Sequence, residues 1–273
     1  MGTPLINKVS DDFRMARDFI RHQFSAYSTQ GHGIHSPFVF DFVTAVCRDK
    51  KQYEDYRRIE QLRSNLSRNH SILEVADLGA GSTYGQSSQR SVSSIVRRAA
   101  KPKKFGQLLY RIAAYYQPQT ILELGTSLGL STAYLALGNP KAKVYTIEGS
   151  TQIASVAKNN FRELGLSNIE LREGAFSEQL PGLLREAGLV DLAFIDGDHR
   201  YSSTLDYFEQ LLVRKAAHTV MIFDDIHWSE GMQLAWNRIC QDPRVMLSVD
   251  LFFLGMVFFN PSFRVKQHFR IRF

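Results

Sequence analysis

The chain has 273 residues, of which 44% are hydrophobic and 22% are charged, and its formal net charge is +6. These fractions are ordinary for a globular protein and exclude a disordered, collagenous or fibrous chain. Two cysteines are too few for a disulfide framework or a cysteine zinc site, so we expect a reducing, cytoplasmic location. The most apolar run, residues 249–259, is too short to cross a bilayer as a helix, and we predict no membrane partner.

Residues 1–117 show helical patterns without a regular alternation of strands and helices. A helix is predicted to start at Ser36-Pro37, because Ser is a favoured cap and Pro suits the first helical position. A second helical pattern runs over residues 53–66, and an irregular polar stretch follows at residues 77–90. We interpret residues 1–117 as a helical cap with a substrate-side loop, and their apolar pattern is compatible with a homodimer.

From residue 118 onward, short apolar runs alternate with helical patterns. Strands are predicted at residues 120–124, 143–147, 168–172, 190–195 and 219–223. Helices are predicted at residues 131–138 and 151–164, from Ser202 onward and after Ser229, and a hairpin around Gly255. This order predicts an α/β fold with a doubly wound, mostly parallel sheet, in which ligands bind beyond the carboxyl ends of the strands.

Two glycine-rich loops are candidates for binding a nucleotide-like ligand. The first, at residues 77–82, follows a weak strand signal, and no strand ending in an acid comes next. The second, at residues 123–131, follows the apolar strand 120–124 and opens a helix. We favour the second loop, because a strand, a glycine turn and a helix in this order place backbone N–H groups beside a ligand.

The strand after the second loop ends in an acid, Glu148, 23 residues beyond Gly125. An acid at this distance can accept two hydrogen bonds from the hydroxyls of a ribose. Dinucleotide sites use the spacing G-x-G-x-x-G, whereas this loop contains Gly125 and Gly129 with three residues between them. The loop therefore predicts an adenosyl ligand that carries no phosphates.

Two other strands end in carboxylates, with Asp196 after strand 190–195 and the pair Asp224-Asp225 after strand 219–223. Adjacent strand ends would bring these acids together beside the bound ligand. Carboxylate oxygens suit a hard divalent ion such as Mg²⁺, so the acids predict a metal site. The alternative is that the acids only cap the following helices or order the turns.

The loop at residues 123–131, Glu148 and the segment 196–199 occur in this order, and with them the sequence resembles the class I S-adenosylmethionine-dependent methyltransferases. The resemblance covers residues 118–259. It implies a Rossmann-like fold with a doubly wound, mostly parallel seven-stranded sheet, a C-terminal β-hairpin and an N-terminal helical extension. Residues 118–273 would then form the methyltransferase domain.

The resemblance also implies which residues bind S-adenosylmethionine. The methionine end of the cofactor would lie against the loop, the ribose would bind the acid after the next strand, and the adenine would meet backbone groups. The cofactor-binding residues implied in this way are Glu123, Gly125, Thr126, Ser127, Gly129, Ser131, Glu148, Gly174, Ala175 and Asp196.

Within this family, the sequence looks like the metal-assisted O-methyltransferases of small molecules. Their metal ligands match Asp196, Asp224 and Asp225. Catechol-type enzymes usually have Asn at the position of Asp225, so the third acid agrees better with the sugar-modifying branch. That branch has a candidate base three residues after the first metal acid. Asp196 and His199 are therefore the expected catalytic residues, and a small-molecule hydroxyl is the expected methyl acceptor.

Two other functions stay open. The first is an RNA or protein methyltransferase, because residues 90–111 are basic and contain no acid. The basic residues there are Arg90, Arg97, Arg98, Lys101, Lys103, Lys104 and Arg111. A solvated helix face is the simpler interpretation of this charge, and an exposed strand after Pro261 explains the basic residues there. The second is a cofactor-binding module that has lost catalysis and acts in regulation through its N-terminal helices.

Six further side chains are weaker candidates, namely His32, His35, Tyr84, Arg90, His227 and Trp228. The last two would line the acceptor pocket, and those at residues 84 and 90 would belong to a lid over the acceptor. Ordinary turn and loop packing is the alternative for each of them.

Overall fold

The computed structural model describes residues 4–28, 34–75 and 89–273, with side chains from residue 13 onward. The chain divides into two compact units. Unit 1 consists of residues 1–48 and 198–273, and unit 2 consists of residues 49–197. Among the described residues, no helix combines the length and the apolar character that a membrane span requires.

Helices and strands alternate through most of the described ranges. The α-helices there are α1 (Pro4–Ser25), α2 (Pro37–Phe42), α3 (Glu54–Ser67), α4 (Val92–Arg98), α5 (Lys103–Tyr116), α6 (Leu130–Gly138), α7 (Thr151–Glu163), α8 (Phe176–Ala187), α9 (Tyr201–Leu212) and α10 (Glu230–Gln241). A π-helical turn, Val43–Cys47, continues α2. The strands are β1 (Tyr27–Ser28), β2 (Ile72–Glu74), β3 (Gln89–Ser91), β4 (Thr120–Leu124), β5 (Lys143–Glu148), β6 (Ile169–Glu173), β7 (Val190–Ile195), β8 (Lys215–Asp224), β9 (Leu247–Asp250), β10 (Leu254–Phe258) and β11 (Gln267–Arg272).

Unit 2 contains a parallel sheet in the order β7-β4-β5-β6. In the central strand β4, Ile121, Leu122 and Leu124 have no exposed surface. Such continuous burial is typical of parallel strands whose two faces are both covered. Because the four strands run in the same direction, the segments that follow them all emerge at one edge of this sheet.

The helices of unit 2 bury a shared apolar cluster. It contains Tyr56, Ile59, Leu62, Leu66, Val92, Ile95, Val96, Tyr110, Leu128, Leu130, Ala133, Tyr134, Leu137, Ile153 and Leu164. Helices α5 and α6 approach closely where α5 has a glycine, because a Cβ on Gly106 would lie only 2.4 Å from the ring of Tyr134. This packing fixes α6, and therefore the loop that precedes it.

Unit 1 contains a mixed sheet in the order β1-β11-β9-β10-β8. The hairpin β9–β10 and the pair β10–β8 are antiparallel, whereas β11 lies parallel to β9 and β1 parallel to β11. The buried residues of β10 and of its partner β8 include Met256 and Ile222, which face each other in the register. Ser229 caps α10 by accepting a hydrogen bond from the N–H of Met232.

Most of the predicted elements are confirmed, among them the strands at residues 120–124 and 190–195 and the hairpin around Gly255. The predicted number of strands, seven, is wrong. The two sheets hold nine strands within the described ranges, because β11 pairs with β9 and β1 pairs with β11. β11 is the strand expected after Pro261, and its exposed arginines alternate with the more buried Phe269 and Ile271. The predicted domain boundary at residues 117/118 stays a prediction.

Candidate functional site

The loop between β4 and α6 contains three residues in the left-handed region of backbone space. Gly125 has φ 102°, Ser127 has φ 48° and Gly129 has φ 82°. The N–H groups of Gly125 and Thr126 both donate to the carbonyl of Ile147, at 3.1 and 3.2 Å. The loop is therefore fixed to the carboxyl end of β5, and its turn geometry matches the glycine spacing that the sequence shows.

Glycine at positions 125 and 129 is required by close approach as well as by conformation. A Cβ on Gly125 would lie 2.0 Å from the carbonyl oxygen of Asp196, and a Cβ on Gly129 would lie 2.4 Å from the ring of Phe161. The N–H of Asp196 donates to the carbonyl of Leu124 at 2.8 Å. The loop and the end of β7 are thus in backbone contact within unit 2.

Glu123 is fully buried beneath this loop. Its Oε2 accepts hydrogen bonds from the hydroxyls of Thr132 and Thr146, the latter at 2.7 Å. Within the described part of the chain, Oε1 is buried without a hydrogen-bond partner. Burial raises the pKa of Glu123 to about 7, although the hydroxyls of Thr132, Ser131 and Thr146 oppose the shift. A buried carboxylate oxygen in this state can accept a charged donor from a ligand.

The other polar residues of the loop are partly internal. Thr126 is fully buried, and its hydroxyl shares a hydrogen bond with the hydroxyl of Thr146 at 2.6 Å. Ser131 lies in the first turn of α6 and is half-buried. Thr126 therefore supports the buried network around Glu123.

Glu148, at the end of β5, binds backbone on both sides of its carboxylate. Its Oε2 accepts from the N–H of Ser127 at 2.8 Å, and its Oε1 accepts from the N–H of Ser150 at 2.9 Å. Burial raises the pKa of Glu148, and the backbone N–H groups of Ser150, Ser127 and Gly149 oppose the shift. A carboxylate has about four lone-pair sites, so these backbone donors leave some capacity for a ligand.

Gly174 and Ala175 lie directly after β6. Gly174 has φ 134°, and its N–H donates to the carbonyl of Glu148 at 3.0 Å. Ala175 is the N-cap of α8, and its carbonyl accepts from the N–H groups of Glu178 and Gln179. The predicted adenine-binding segment is therefore held against the end of β5, beside the predicted ribose acid.

Asp196 follows β7 at the same edge of the unit 2 sheet. Its Oδ1 lies 3.7 Å from the Nζ of Lys101, and the two side chains retain only 16% and 14% of their exposure. Lys101 stands between α4 and α5, just before the N-cap Pro102. In the sequence Lys101 belongs to a basic stretch, and no local pattern indicates that it contacts Asp196.

The remaining predicted catalytic and metal residues belong to unit 1. His199 is half-buried in the segment between β7 and α9. Asp224 is the last residue of β8 and is only 1% exposed. Asp225 follows with φ 52°, and its N–H donates to the carbonyl of Phe253 at 2.8 Å. Each acid is therefore at the carboxyl end of its strand, as the sequence predicts.

Asp198 of unit 1 is a polar residue that the sequence analysis did not single out. Its carboxylate accepts from Arg200 and from the hydroxyl of Tyr207, the latter at 3.1 Å. Although burial acts in the opposite direction, these donors hold the pKa of Asp198 below its usual value. With φ 49°, Asp198 orders the turn that leads into α9.

A buried cluster of unit 1 also escaped the sequence analysis. Asp250 is 3% exposed, and its two oxygens lie 3.3 Å from His22 Nε2 and 2.9 Å from His227 Nε2. The ring of His227 stacks on Phe252 at a centroid distance of 4.8 Å. His227 is thus held in a structural cluster, and no sequence signal connects it with a histidine of α1.

The basic stretch does not form one exposed face. Arg111 is buried and lies 3.5 Å from the hydroxyl of Tyr56, and Lys101 meets Asp196. Arg90 belongs to β3, which pairs with β2 in a short antiparallel ladder. Two of the seven basic side chains, those of Lys101 and Arg111, are therefore not part of an exposed face.

Some weaker candidates and the first glycine loop cannot be placed. His32, Tyr84 and residues 77–82 lie outside the described residues. His35 lies just before α2, where the predicted N-cap Ser36 makes no side-chain capping hydrogen bond. Trp228 is 43% exposed, and its carbonyl accepts from Arg14.

Residues 122–226 match a family described as a methyltransferase domain. The chain is 35% identical over 124 residues to a catechol O-methyltransferase of Niastella koreensis, which covers 44% of this chain and 55% of that protein. It is 32% identical over 131 residues to a catechol O-methyltransferase of Mycobacterium tuberculosis, and this match covers 47% of this chain and 58% of that protein. The chain therefore spans little more than half the length of these relatives.

The fold resembles that of solved methyltransferases. An O-methyltransferase from Bacillus cereus in complex with SAH matches with TM-score 0.53 and 20% identity over 78% of this chain and 94% of that chain. An SAH-bound methyltransferase from Podospora anserina matches with TM-score 0.58 and 16% identity, over 82% and 97%. These likenesses confirm the predicted Rossmann-like α/β class. Residues 122–226 are thus similar to a methyltransferase domain, and the curated relatives named above are O-methyltransferases.

Proposed function

We propose that the protein is an S-adenosylmethionine-dependent O-methyltransferase that acts on a hydroxyl of a small molecule. The observation that carries the proposal is the β4–α6 loop, with its glycine turn above the buried Glu123. The O-methyltransferase relatives support oxygen as the methyl acceptor. The arrangement of loop, ribose acid and adenine segment around one sheet edge supports an adenosyl cofactor.

The residues around the loop fit the methionine end of S-adenosylmethionine. The buried Oε1 of Glu123 has no partner in the described chain, and the ammonium group of the cofactor would supply a charged donor to it. The left-handed turn at Gly125 and Gly129, which packs closely against Asp196 and Phe161, would present its backbone to the cofactor. The half-buried hydroxyl of Ser131 lies in the first turn of the helix that this loop opens.

Two other segments fit the adenosine part. Glu148 would accept hydrogen bonds from the ribose hydroxyls with the lone pairs that its backbone donors leave unused. The backbone of Gly174 and Ala175 would border the adenine. When bound, S-adenosylmethionine supplies an electrophilic methyl group on a sulfonium centre.

We propose that Asp196, Asp224 and Asp225 bind a divalent cation such as Mg²⁺. Their oxygens are the ligands that hard cations prefer, and a carboxylate as buried as that of Asp224 needs hydrogen bonds or a positive charge to offset its desolvation. When bound, the cation would lower the pKa of a coordinated hydroxyl. The acids themselves would orient that hydroxyl.

The reaction forms a bond between the acceptor oxygen and the methyl carbon, breaks the bond from that carbon to sulfur, and releases the hydroxyl proton. We propose His199 as the base that takes the proton, and Asp196 as the residue that positions the acceptor. The acceptor is proposed to be a small molecule in the reducing environment of the cytoplasm, where Cys47 and Cys240 need no disulfide. A homodimer through residues 1–117 stays a prediction.

Isothermal titration with S-adenosylmethionine tests the cofactor site. Glu148→Ala should weaken binding by about tenfold or more, because the loss of a carboxylate that binds two hydroxyls costs roughly 1.5–3 kcal/mol. Glu173→Ala is the matched control, since Glu173 ends the neighbouring strand β6 and pairs with Lys158 at the surface. Equal affinity of the wild type and the Glu148 variant would contradict the site.

Turnover with a panel of phenolic and sugar hydroxyls tests the metal and the acceptor. Methyl transfer should depend on Mg²⁺, and Asp196→Ala should abolish the dependence together with most of the activity. Full turnover in the presence of a chelator would overturn the metal assignment. Transfer to RNA or protein, without transfer to any small hydroxyl, would overturn the acceptor.

A further inference from the structure

Lys101 places a positive charge against Asp196. Its Nζ lies 3.7 Å from Oδ1, and both side chains are largely buried. The neighbouring Lys103 and Lys104 in the same stretch are exposed. One lysine of three therefore points inward, toward an acid at the edge of the unit 2 sheet.

The position of that acid is fixed by backbone contacts. The N–H of Asp196 donates to Leu124, and its carbonyl oxygen occupies the space where a side chain on Gly125 would lie. Lys101 directly precedes Pro102, which restricts its backbone and whose carbonyl accepts from the N–H groups of Phe105 and Gly106 at the start of α5. The ion pair therefore joins two anchored segments and is more than a surface contact between two mobile side chains.

We infer that Lys101 is a built-in counter-ion of Asp196 that competes with a divalent cation for the same carboxylate. The inference rests on the proposed function, in which Asp196 is a metal ligand. A carboxylate oxygen that faces an ammonium group is a weaker ligand for a cation, because the two positive charges repel each other. Lys101 thus sets how tightly the metal binds, and it neutralises Asp196 whenever the metal is absent.

Lys101 is a positioning residue that acts through Asp196. Metal binding would require the ammonium group of Lys101 to move away from Oδ1. In its new position the ammonium group would be available to an acceptor with a negative charge. The affinity for the metal would then be lower than three carboxylates alone would give, and the metal would exchange readily. Removal of the ammonium charge should tighten the site.

Electron paramagnetic resonance of Mn²⁺ titrated with the full chain measures the metal affinity without turnover. Lys101→Met should bind Mn²⁺ about tenfold more tightly than the wild type. Lys101→Arg keeps the charge and should stay within about twofold of the wild type. Lys103→Met is the matched control, because it removes the same charge two residues away from an exposed position, and it should also change the affinity by less than about twofold.

Affinity that is equal or weaker in Lys101→Met would overturn the inference, and so would a gain of equal size in Lys103→Met. Asp196→Asn in the Lys101→Met background should abolish the gain, and a gain that persists would place the ion elsewhere and overturn the inference. Isothermal titration of the same samples with S-adenosylmethionine judges the proposed function separately. If the wild type does not bind S-adenosylmethionine, the proposed function is wrong. The order of the Mn²⁺ affinities tests only the role of Lys101.

Discussion

Two buried carboxylates, Glu123 in unit 2 and Asp250 in unit 1, respond to burial in opposite ways. The pKa of Glu123 rises to about 7, because its burial outweighs the hydrogen bonds from the hydroxyls of two threonines and Ser131. The pKa of Asp250 falls well below its usual value despite similar burial, because His22 and His227 donate to it. The nature of the partners, and not the depth of burial, therefore decides the direction of the shift.

The two groups also differ in what they leave unsatisfied. Both oxygens of Asp250 have histidine partners, and Oδ1 also accepts from the N–H of Phe252 at 2.8 Å. Glu123 keeps one buried oxygen without a partner in the described chain. A carboxylate with all its hydrogen bonds made stabilises the fold, whereas one with an open oxygen is prepared for a ligand.

Replacement of Asp250 should have the largest effect. Asp250→Asn leaves two histidines beside a neutral group and should lower the free energy of unfolding by about 3–5 kcal/mol. Chemical denaturation followed by circular dichroism measures this loss. Glu209→Gln is the control. The side chain of Glu209 is 57% exposed, so its ion pair with Arg244 should contribute less than about 1 kcal/mol.

A loss in Asp250→Asn as small as that of the control would show that the cluster is not a stabilising ion pair. The pH dependence gives a second measure. Because the folded pKa lies below the ordinary value of 3.8, the contribution of Asp250 is fully present above that pH and is lost as the pH falls through the lower, folded pKa. Asp250→Asn should lack this part of the acid transition.

Replacement of Glu123 should affect binding more than folding. Glu123→Gln keeps the size of the side chain and an acceptor for Thr132, but it removes the charge proposed to meet the cofactor ammonium. Affinity for S-adenosylmethionine should fall about 10- to 100-fold, equivalent to roughly 1.5–3 kcal/mol for a hydrogen bond to a charged group. Isothermal titration measures it, and a stable variant with unchanged affinity would contradict the role of Glu123.

The smallest expected effect is the pH dependence of cofactor binding near neutrality. If the ionised form of Glu123 binds the cofactor, a pKa of about 7 should raise affinity about tenfold between pH 6 and pH 8. The stability of the chain without cofactor should change the other way. The folded state holds this proton more tightly than the unfolded state, so the free energy of unfolding falls as the pH rises from 4.5 through about 7.

Glu123→Gln supplies the control for both measurements, since it has no proton to lose. Its affinity and stability should be flat over this range apart from the contributions of other groups. A wild-type profile that is also flat would show that Glu123 has the same charge throughout. The two carboxylates would then differ in partners but not in readiness to bind a ligand.

The sequence predicted the elements around the candidate cofactor site well. The strand at residues 120–124, the turn at Gly125 and Gly129 and the acid Glu148 follow one another locally, so their spacing shows their arrangement. The free oxygen of Glu123 could not be predicted in this way. It depends on how Thr132 and Thr146 approach from α6 and β5.

Contacts between distant segments could not be predicted from local patterns. His22 and Asp250 meet although they lie in the first helix and in β9, and the composition of neither segment indicates a partner. Lys101 looked like one of several basic residues, because its charge reveals nothing about its direction. The strand β11 was expected after Pro261, but its place in the sheet was hidden for a similar reason, since its pairing with β9 is non-local.

The pairing of β1 with β11 has a consequence for biosynthesis. Residue Tyr27 lies opposite Ile271, so the first strand in the described ranges needs the last one as its neighbour. Unit 2 has all its internal partners once residue 197 has left the ribosome, whereas unit 1 cannot close until residues 267–272 emerge. Helix α1 therefore leaves the ribosome well before the strands of unit 1 against which it packs. During that interval its apolar side chains, such as Phe19, remain available to chaperones and to aggregation.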